Sequence, residues 1–81
     1  MKSLLILGAG GFGRMIKETA LALGYEEVLF LDDTAKDDDV IGRCCDYHLY
    51  HRDYSVAVAA FGNNKTRLFW TQKLLEEEYE V

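Results

Sequence analysis

The stretch Ser3-Leu4-Leu5-Ile6-Leu7 is a continuous apolar run that ends in Gly8-Ala9-Gly10-Gly11-Phe12-Gly13. Nothing else in the chain restricts the fold as strongly. An apolar run of this length bounded by glycine predicts a strand buried on both faces, as in a parallel sheet. After the glycines the spacing changes. Met15, Ile16, Thr19, Ala20 and Leu23 fall on one helical stripe, with Lys17 and Glu18 off it, so a helix is predicted over residues 13–23. Gly24 stands where a left-handed C-terminal cap belongs.

The same grammar repeats downstream. Residues 27–32 and 55–61 read as two further buried strands, and residues 64–78 as a second helix. Asn63 or Asn64 can cap that helix. Its buried face is predicted to hold Leu68, Thr71, Leu74 and Leu75, helped by Phe69 or Trp70. Residues 33–54 connect two parallel strands and must cross the sheet. They carry the acidic patch Asp37-Asp38-Asp39 and are expected to be mostly loop with one short turn or strand. The predicted fold class is therefore α/β: a small Rossmann-like three-layer domain over residues 1–81, with a three- or four-stranded parallel sheet. The expected strand order is 2-1-3, with any fourth strand starting at Tyr79. At least one of Gly8, Gly10 and Gly11 is expected to have positive φ, because the loop folds back under the helix start. Glu78-Tyr79-Glu80-Val81 reads as the beginning of another strand, so the 81 residues are expected to be one piece of a longer gene product.

Composition narrows the function. The net charge is −5, and an acidic chain repels phosphate backbones at long range, so no nucleic-acid partner is expected. An anionic small molecule can still bind through local donors such as backbone N–H groups. The apolar run Leu4 to Leu7 is far too short to cross a bilayer or to form a signal-peptide core, so no membrane partner is expected and the cytoplasm is the default location. Cys44 and Cys45 are adjacent and are the only cysteines, which suits two free thiols in a reducing compartment.

Three motifs can carry chemistry. Gly8, Gly10 and Gly13 form G-x-G-x-x-G between a strand and a helix. The first permits a tight turn, the second lets a phosphate approach the backbone, and the third lets helix and strand pack closely. The helix N-terminus then offers unpaired N–H groups to an anion. The alternative is a merely structural glycine turn. Asp32 and Asp33 end the second strand, about 20 residues beyond the glycine motif, where a ribose-binding acid sits in this fold; the alternative is a solvated turn pair. A carboxylate there also repels a 2′-phosphate. Gly62-Asn63-Asn64 follows the third strand and opens the second helix. If that strand lies beside the first, the two loops face each other across the strand-order reversal, and two helix N-termini converge on one anion. A plain helix cap is the alternative. Lys65 and Arg67 can assist phosphate charge or stand as solvated helix residues. Cys44, Cys45, His48 and His51 are crowded, but their spacing lacks both the C-x-x-C and the H-x₃₋₅-H pairing of zinc sites, so no metal is expected. No nucleophile has a recognisable base beside it, and no catalytic residue is assigned.

Taken together, Gly8-Ala9-Gly10-Gly11-Phe12-Gly13, Phe30-Leu31-Asp32-Asp33 and Gly62-Asn63-Asn64-Lys65-x-Arg67 resemble the N-terminal domain of bacterial sugar O- and N-acyltransferases. That family includes sialic acid O-acetyltransferase-like enzymes and acetyltransferases of UDP-linked amino sugars. The resemblance covers essentially the whole chain. It implies a domain that binds a nucleotide sugar, followed in the family by a left-handed β-helix of hexapeptide repeats. That second domain forms a trimer, binds acetyl-CoA and carries a catalytic histidine; it is absent from this chain, and His48 and His51 do not match the histidine. The family's glycine loop often has histidine where this chain has Phe12. By position, the resemblance puts Gly8, Gly10, Gly11, Phe12 and Gly13 near phosphate or sugar. It puts Asp32 and Asp33 near uracil and ribose, and Gly62, Asn63 and Asn64 beside the diphosphate or the sugar.

The leading reading is the substrate-binding domain of a sugar acetyltransferase. It would bind and orient a UDP-sugar, contribute proximity, need no cofactor of its own, and be inactive alone. An NAD-binding fragment of a dehydrogenase fits the glycine motif and Asp32, but the Gly-Asn-Asn turn and the few strands fit it less well. A non-enzymatic nucleotide-sensing module is the third reading.

Overall fold

Strand β1 (Ser3–Leu7) is buried almost throughout, and its side chains alternate between two separate cores. Leu4 and Ile6 join Val28, Phe30 and Ala20 on one face, while Leu5 and Leu7 join Leu31, Ala57, Ala59 and Leu74 on the other. That alternation follows from the two-residue period of a strand and requires cover on both sides. A computed structural model describes residues 2–81 and supplies the cover. Helix α1 (Gly11–Ala22) lies over the Leu4 face, and helix α2 (Asn64–Glu76) over the Leu5 face.

The sheet has four parallel strands, ordered β3-β2-β1-β4, where β2 is Glu27–Leu31, β3 Val40–Gly42 and β4 Val56–Ala59. This is the expected three-layer Rossmann-like α/β fold, with the 2-1-3 core order intact. The fourth strand is not the expected one. It is Val40–Gly42, added outside β2, whereas Tyr79 leads only to an isolated parallel bridge between Glu80 and Val56. Residues 33–54 thus contain the short strand that was expected, plus a six-residue 3₁₀ helix, Cys44–Leu49, that was not. The apolar signal of that helix is carried by Cys44 and Tyr47, too few for a helical stripe to be seen in sequence.

Both α-helices sit rotated from their predicted faces. In α1 the buried residues are Gly13 and Ala20, with Ile16 half-buried, while Met15 and Leu23 are exposed. In α2 only Leu74 is fully buried, with Trp70 half-buried beside it; Leu68, Phe69 and Leu75 are exposed. The reason is local. Close contact between Gly13 and Gly8 fixes the roll of α1, and the large pair Trp70 and Leu74, four residues apart, fixes that of α2. Helix α1 ends as predicted, with Gly24 at φ 99° and the N–H groups of Gly24 and Tyr25 donating to Leu21 and Ala20.

Candidate functional site

The sheet order reverses between β1 and β4, so the loops after these strands lie side by side at their carboxyl ends. Gly8 begins the first loop at φ 104°, the positive value expected of this turn. Its N–H donates to the Leu31 carbonyl at 2.8 Å, and the N–H of Ala60 donates to the Leu7 carbonyl at 2.8 Å, so the sheet's hydrogen bonding continues into the first residue of each loop. A Cβ at Gly13 would stand 2.0 Å from the Gly8 carbonyl oxygen. Gly13 is therefore required by packing. Gly10 and Gly11 have nothing within 4 Å of the place a Cβ would take and neither has positive φ, so the protein itself does not require glycine there. What their bareness leaves is open access to the backbone.

The start of α1 is correspondingly open. Its N-cap is Gly10, with no side-chain cap and no acidic residue in the first turn. The first N–H groups of the helix are left for solvent or an anion. The start of α2 differs. The Asn63 side chain accepts the Thr66 N–H at 3.0 Å, so it caps its own helix. Arg67 donates to the Asn64 side chain at 2.5 Å and to the Phe61 carbonyl at 3.4 Å, which holds the β4–α2 loop in shape. Gly62 is exposed, with open space where a Cβ would be, and Lys65 is exposed.

Asp32 links the first loop to the next one along the sheet edge. Its Oδ2 accepts the Ala9 N–H at 2.7 Å, and its Oδ1 accepts the N–H groups of Thr34 and Ala35 at 2.9 and 2.8 Å. Burial alone would raise the pKa of this carboxyl, but these backbone donors outweigh it and hold it at about 2. Asp33 points elsewhere: its Oδ1 accepts the Cys44 N–H at 3.0 Å, at the start of the 3₁₀ helix. Two clefts open around this pair. One, of about 410 Å³, runs along residues 32–36 and 40–43; the other, of about 350 Å³, lies between Asp33, Arg43, Cys45 and Trp70.

Sequence reading missed a cluster beside the glycine loop. Arg14 pairs with Asp39 at 2.5 Å and with Asp37 at 2.6 Å, and Lys17 pairs with Asp39 at 2.7 Å. The guanidinium of Arg14 lies 4.3 Å from the centre of the Phe30 ring. Hydrogen bonding to Arg14 brings the Asp39 carboxyl down to about 2, against the opposing effect of burial. The acidic patch of residues 37–39 is thus the clamp that holds the β2–β3 loop onto α1. The only local hint was the pair of cations Arg14 and Lys17 on one face of α1. Phe12 lines an apolar groove of about 370 Å³ along α1 with Met15, Leu23 and Tyr25. That groove lacks charged groups, so the crevice between the loops, with its free N–H groups, is the better place for an anion. Cys44 is buried, which pushes its thiol up to about 12, while Cys45 is exposed. Among the described residues no group of His, Cys, Asp or Glu is placed to hold a metal ion.

The fold is a Rossmann-like parallel α/β module whose strand order reverses between β1 and β4. The chain belongs to the PglD N-terminal domain family, whose model matches residues 3–74. The acetyltransferase domain of PglB from Neisseria gonorrhoeae FA1090, solved in complex with acetyl coenzyme A, superposes with a TM-score of 0.91 at 30% identity, covering 99% of this chain and 42% of that one. The H141N mutant of perosamine N-acetyltransferase from Caulobacter crescentus, solved with CoA and GDP-perosamine, superposes with a TM-score of 0.89 over 100% of this chain and 41% of that one; at 19% identity it shares the fold. The chain therefore spans less than half the length of these structures. No curated protein sequence matches it.

Proposed function

We propose that this chain is the substrate-binding domain of a nucleotide-sugar acetyltransferase and that its ligand is a UDP-sugar. The observation that carries the reading is the bare, uncapped glycine loop at the start of α1, set beside the β4–α2 loop at the strand-order reversal. The diphosphate lies on the N–H groups after Gly10, with Gly8 and Gly13 shaping the turn. Gly62, Asn63 and Asn64 flank it from the second loop, and Phe12 borders the sugar side. Asp32 and Asp33 stand one nucleoside away, toward ribose and uracil. Family membership and the likeness to PglB support the sugar acetyltransferase setting.

The domain's part in the reaction is to bind and orient, which raises the effective concentration of the acceptor group. Acetyl transfer from acetyl-CoA, and assembly as a trimer, are assigned by the same proposal to a β-helix domain outside this sequence. A cytoplasmic location belongs to the proposal as well; no helix among the described residues is long and apolar enough to cross a membrane. The reading as a dehydrogenase fragment asks Asp32 to hold both ribose hydroxyls of NAD. Its bonds to Ala9, Thr34 and Ala35 already engage both oxygens, a limit that applies equally to the ribose of a UDP-sugar, so ligand titration and not this residue separates the two readings.

Calorimetric titration of the 81-residue chain with UDP, a UDP-sugar and NAD tests the proposal. UDP and its sugar are expected to bind, modestly, and more tightly than NAD. Tighter binding of NAD sinks the proposal in favour of the dehydrogenase reading.

A further inference from the structure

Arg67 is half-buried near the start of α2, yet among the described residues it has no carboxylate within ion-pair distance. Its two partners are neutral oxygens. Nη2 donates to the Asn64 Oδ1 at 2.5 Å, and Nη1 donates to the Phe61 carbonyl at 3.4 Å. The Phe61 ring in turn stands 3.2 Å from the place a Cβ would take on Gly8. One guanidinium thus joins the first residue of α2 to the backbone that borders the glycine loop. A guanidinium has only donors, so the Asn64 amide must offer it the oxygen. The Nδ2 atom of the same amide donates to none of the described residues, and Asn64 is exposed. Asn63 needs no such brace, because its side-chain oxygen is already fixed by the Thr66 N–H. Stability alone would favour a different residue at position 64. An aspartate there would form an ion pair with Arg67 and suit the positive end of a helix that has no acid in its first turn. Asparagine forgoes that gain and keeps an N–H₂ group.

We infer that Arg67 is a positioning residue of this site: by holding the Asn64 amide through its oxygen, it leaves the N–H₂ group as a fixed donor for an anionic ligand oxygen. The inference rests on the proposed nucleotide-sugar reading, in which Asn64 flanks the diphosphate. An unheld asparagine amide turns easily about its last torsion and presents oxygen as readily as nitrogen. Amide oxygen against a phosphate oxygen sets acceptor against acceptor. Arg67 removes that wrong orientation before the ligand arrives, so less side-chain freedom is lost on binding. Its part differs from that of a bare positive charge. A lysine would carry the charge but lacks the flat fork that reaches two oxygens at once.

Calorimetry with UDP, paired with a thermal melt of each protein, tests this on the 81-residue chain and its variants Arg67→Met, Arg67→Lys, Asn64→Ala, Asn64→Asp and the double change Arg67→Met with Asn64→Ala. Asn64→Asp keeps an oxygen for Arg67 and replaces the N–H₂ by a second oxygen. It is expected to melt no lower than the unaltered chain while losing UDP affinity about tenfold or more, a separation that a merely structural role would not produce. Arg67→Met and Asn64→Ala should each weaken UDP about tenfold, the value of one charge-assisted hydrogen bond, and the double variant no more than either. Arg67→Lys should lose nearly as much as Arg67→Met. Additive losses in the double variant, or full affinity in Arg67→Lys, show Arg67 acting apart from Asn64 or by charge alone; either overturns the inference and leaves the proposed function standing. Full UDP affinity in Asn64→Asp does the same. If Arg67→Met fails to fold, Asn64→Asp and Arg67→Lys decide by themselves. Failure of the unaltered chain to bind UDP overturns the inference and the proposed function together.

Discussion

The Oδ2 atom of Asp32 accepts the backbone N–H of Ala9 at 2.7 Å, so the carboxylate at the end of β2 holds the glycine loop that follows β1. The other oxygen closes the turn through Thr34 and Ala35. An acid at this place in a parallel α/β sheet reads first as a ribose ligand. Here it is also a tether between two loops of the site.

Removing that tether should be felt without any ligand. Asp32→Ala leaves three backbone N–H groups without their acceptor and should cost roughly 1–3 kcal/mol. In a domain this small each kcal/mol corresponds to about 4–8 °C in melting temperature. Asp32→Asn, which keeps one acceptor oxygen for the turn, should lose less. Thermal melts of the unliganded chain check this, and an unchanged melting temperature in Asp32→Ala would show that the carboxylate does not hold the loop.

The glycines should separate into two kinds. Gly13→Ala forces a Cβ to within 2.0 Å of the Gly8 carbonyl oxygen and should destabilise strongly, by about 2–3 kcal/mol or more. Gly11→Ala meets open space at the first position of α1 and should be neutral or slightly stabilising, because alanine suits a helix better. Its methyl group should nevertheless obstruct an anion approaching the loop. Denaturant melts together with UDP titration separate the effects. Loss of stability in Gly11→Ala, or full UDP affinity in it, would contradict the assignment.

Acid should loosen the clamp as well as the tether. Asp32 and Asp39 both titrate at about 2 in the folded chain, below the ordinary 3.8. A lowered carboxyl pKa stabilises the fold above the unfolded value, and this stabilisation is lost as pH falls through the folded one. Stability should therefore hold above about pH 4 and decline between pH 4 and 2. Asp39→Asn breaks the ion pairs with Arg14 and Lys17, and should remove roughly 1–2 kcal/mol at neutral pH while flattening the acid limb. Denaturant midpoints measured across that range decide it; parallel acid limbs in the two proteins would rule out the Asp39 contribution.

The parts of this fold that sequence made legible are those with strong local signals. β1 is an uninterrupted apolar run, Gly8 to Gly13 mark a turn that only glycine permits at two points, and Asn63 caps α2 as its position suggested. The rest depended on contacts distant in sequence. The roll of α2 could not be read because Leu68, Phe69, Trp70, Leu74 and Leu75 leave no polar face to mark the outside; packing chose Trp70 and Leu74. The strand Val40–Gly42 has three residues and forms because Phe30 and Leu31 offer it an edge. The clamp of Arg14 and Lys17 on Asp37 and Asp39 joins residues more than 20 apart, so sequence alone shows the acidic patch only as part of a connecting loop.

The central claim is that a nucleoside diphosphate lies in the crevice between the glycine loop and the β4–α2 loop. Backbone amide NMR shifts of the isotopically labelled chain, followed during addition of UDP, test it most directly. The account predicts shifts concentrated at Gly11, Phe12 and Gly13, at Asp33 and its neighbours, and at Gly62 to Asn64. It predicts none at Leu23 or Leu75, which are exposed at the far ends of α1 and α2. Shifts confined to the apolar groove along α1, or no shifts in the glycine loop under conditions where UDP binds, would contradict it.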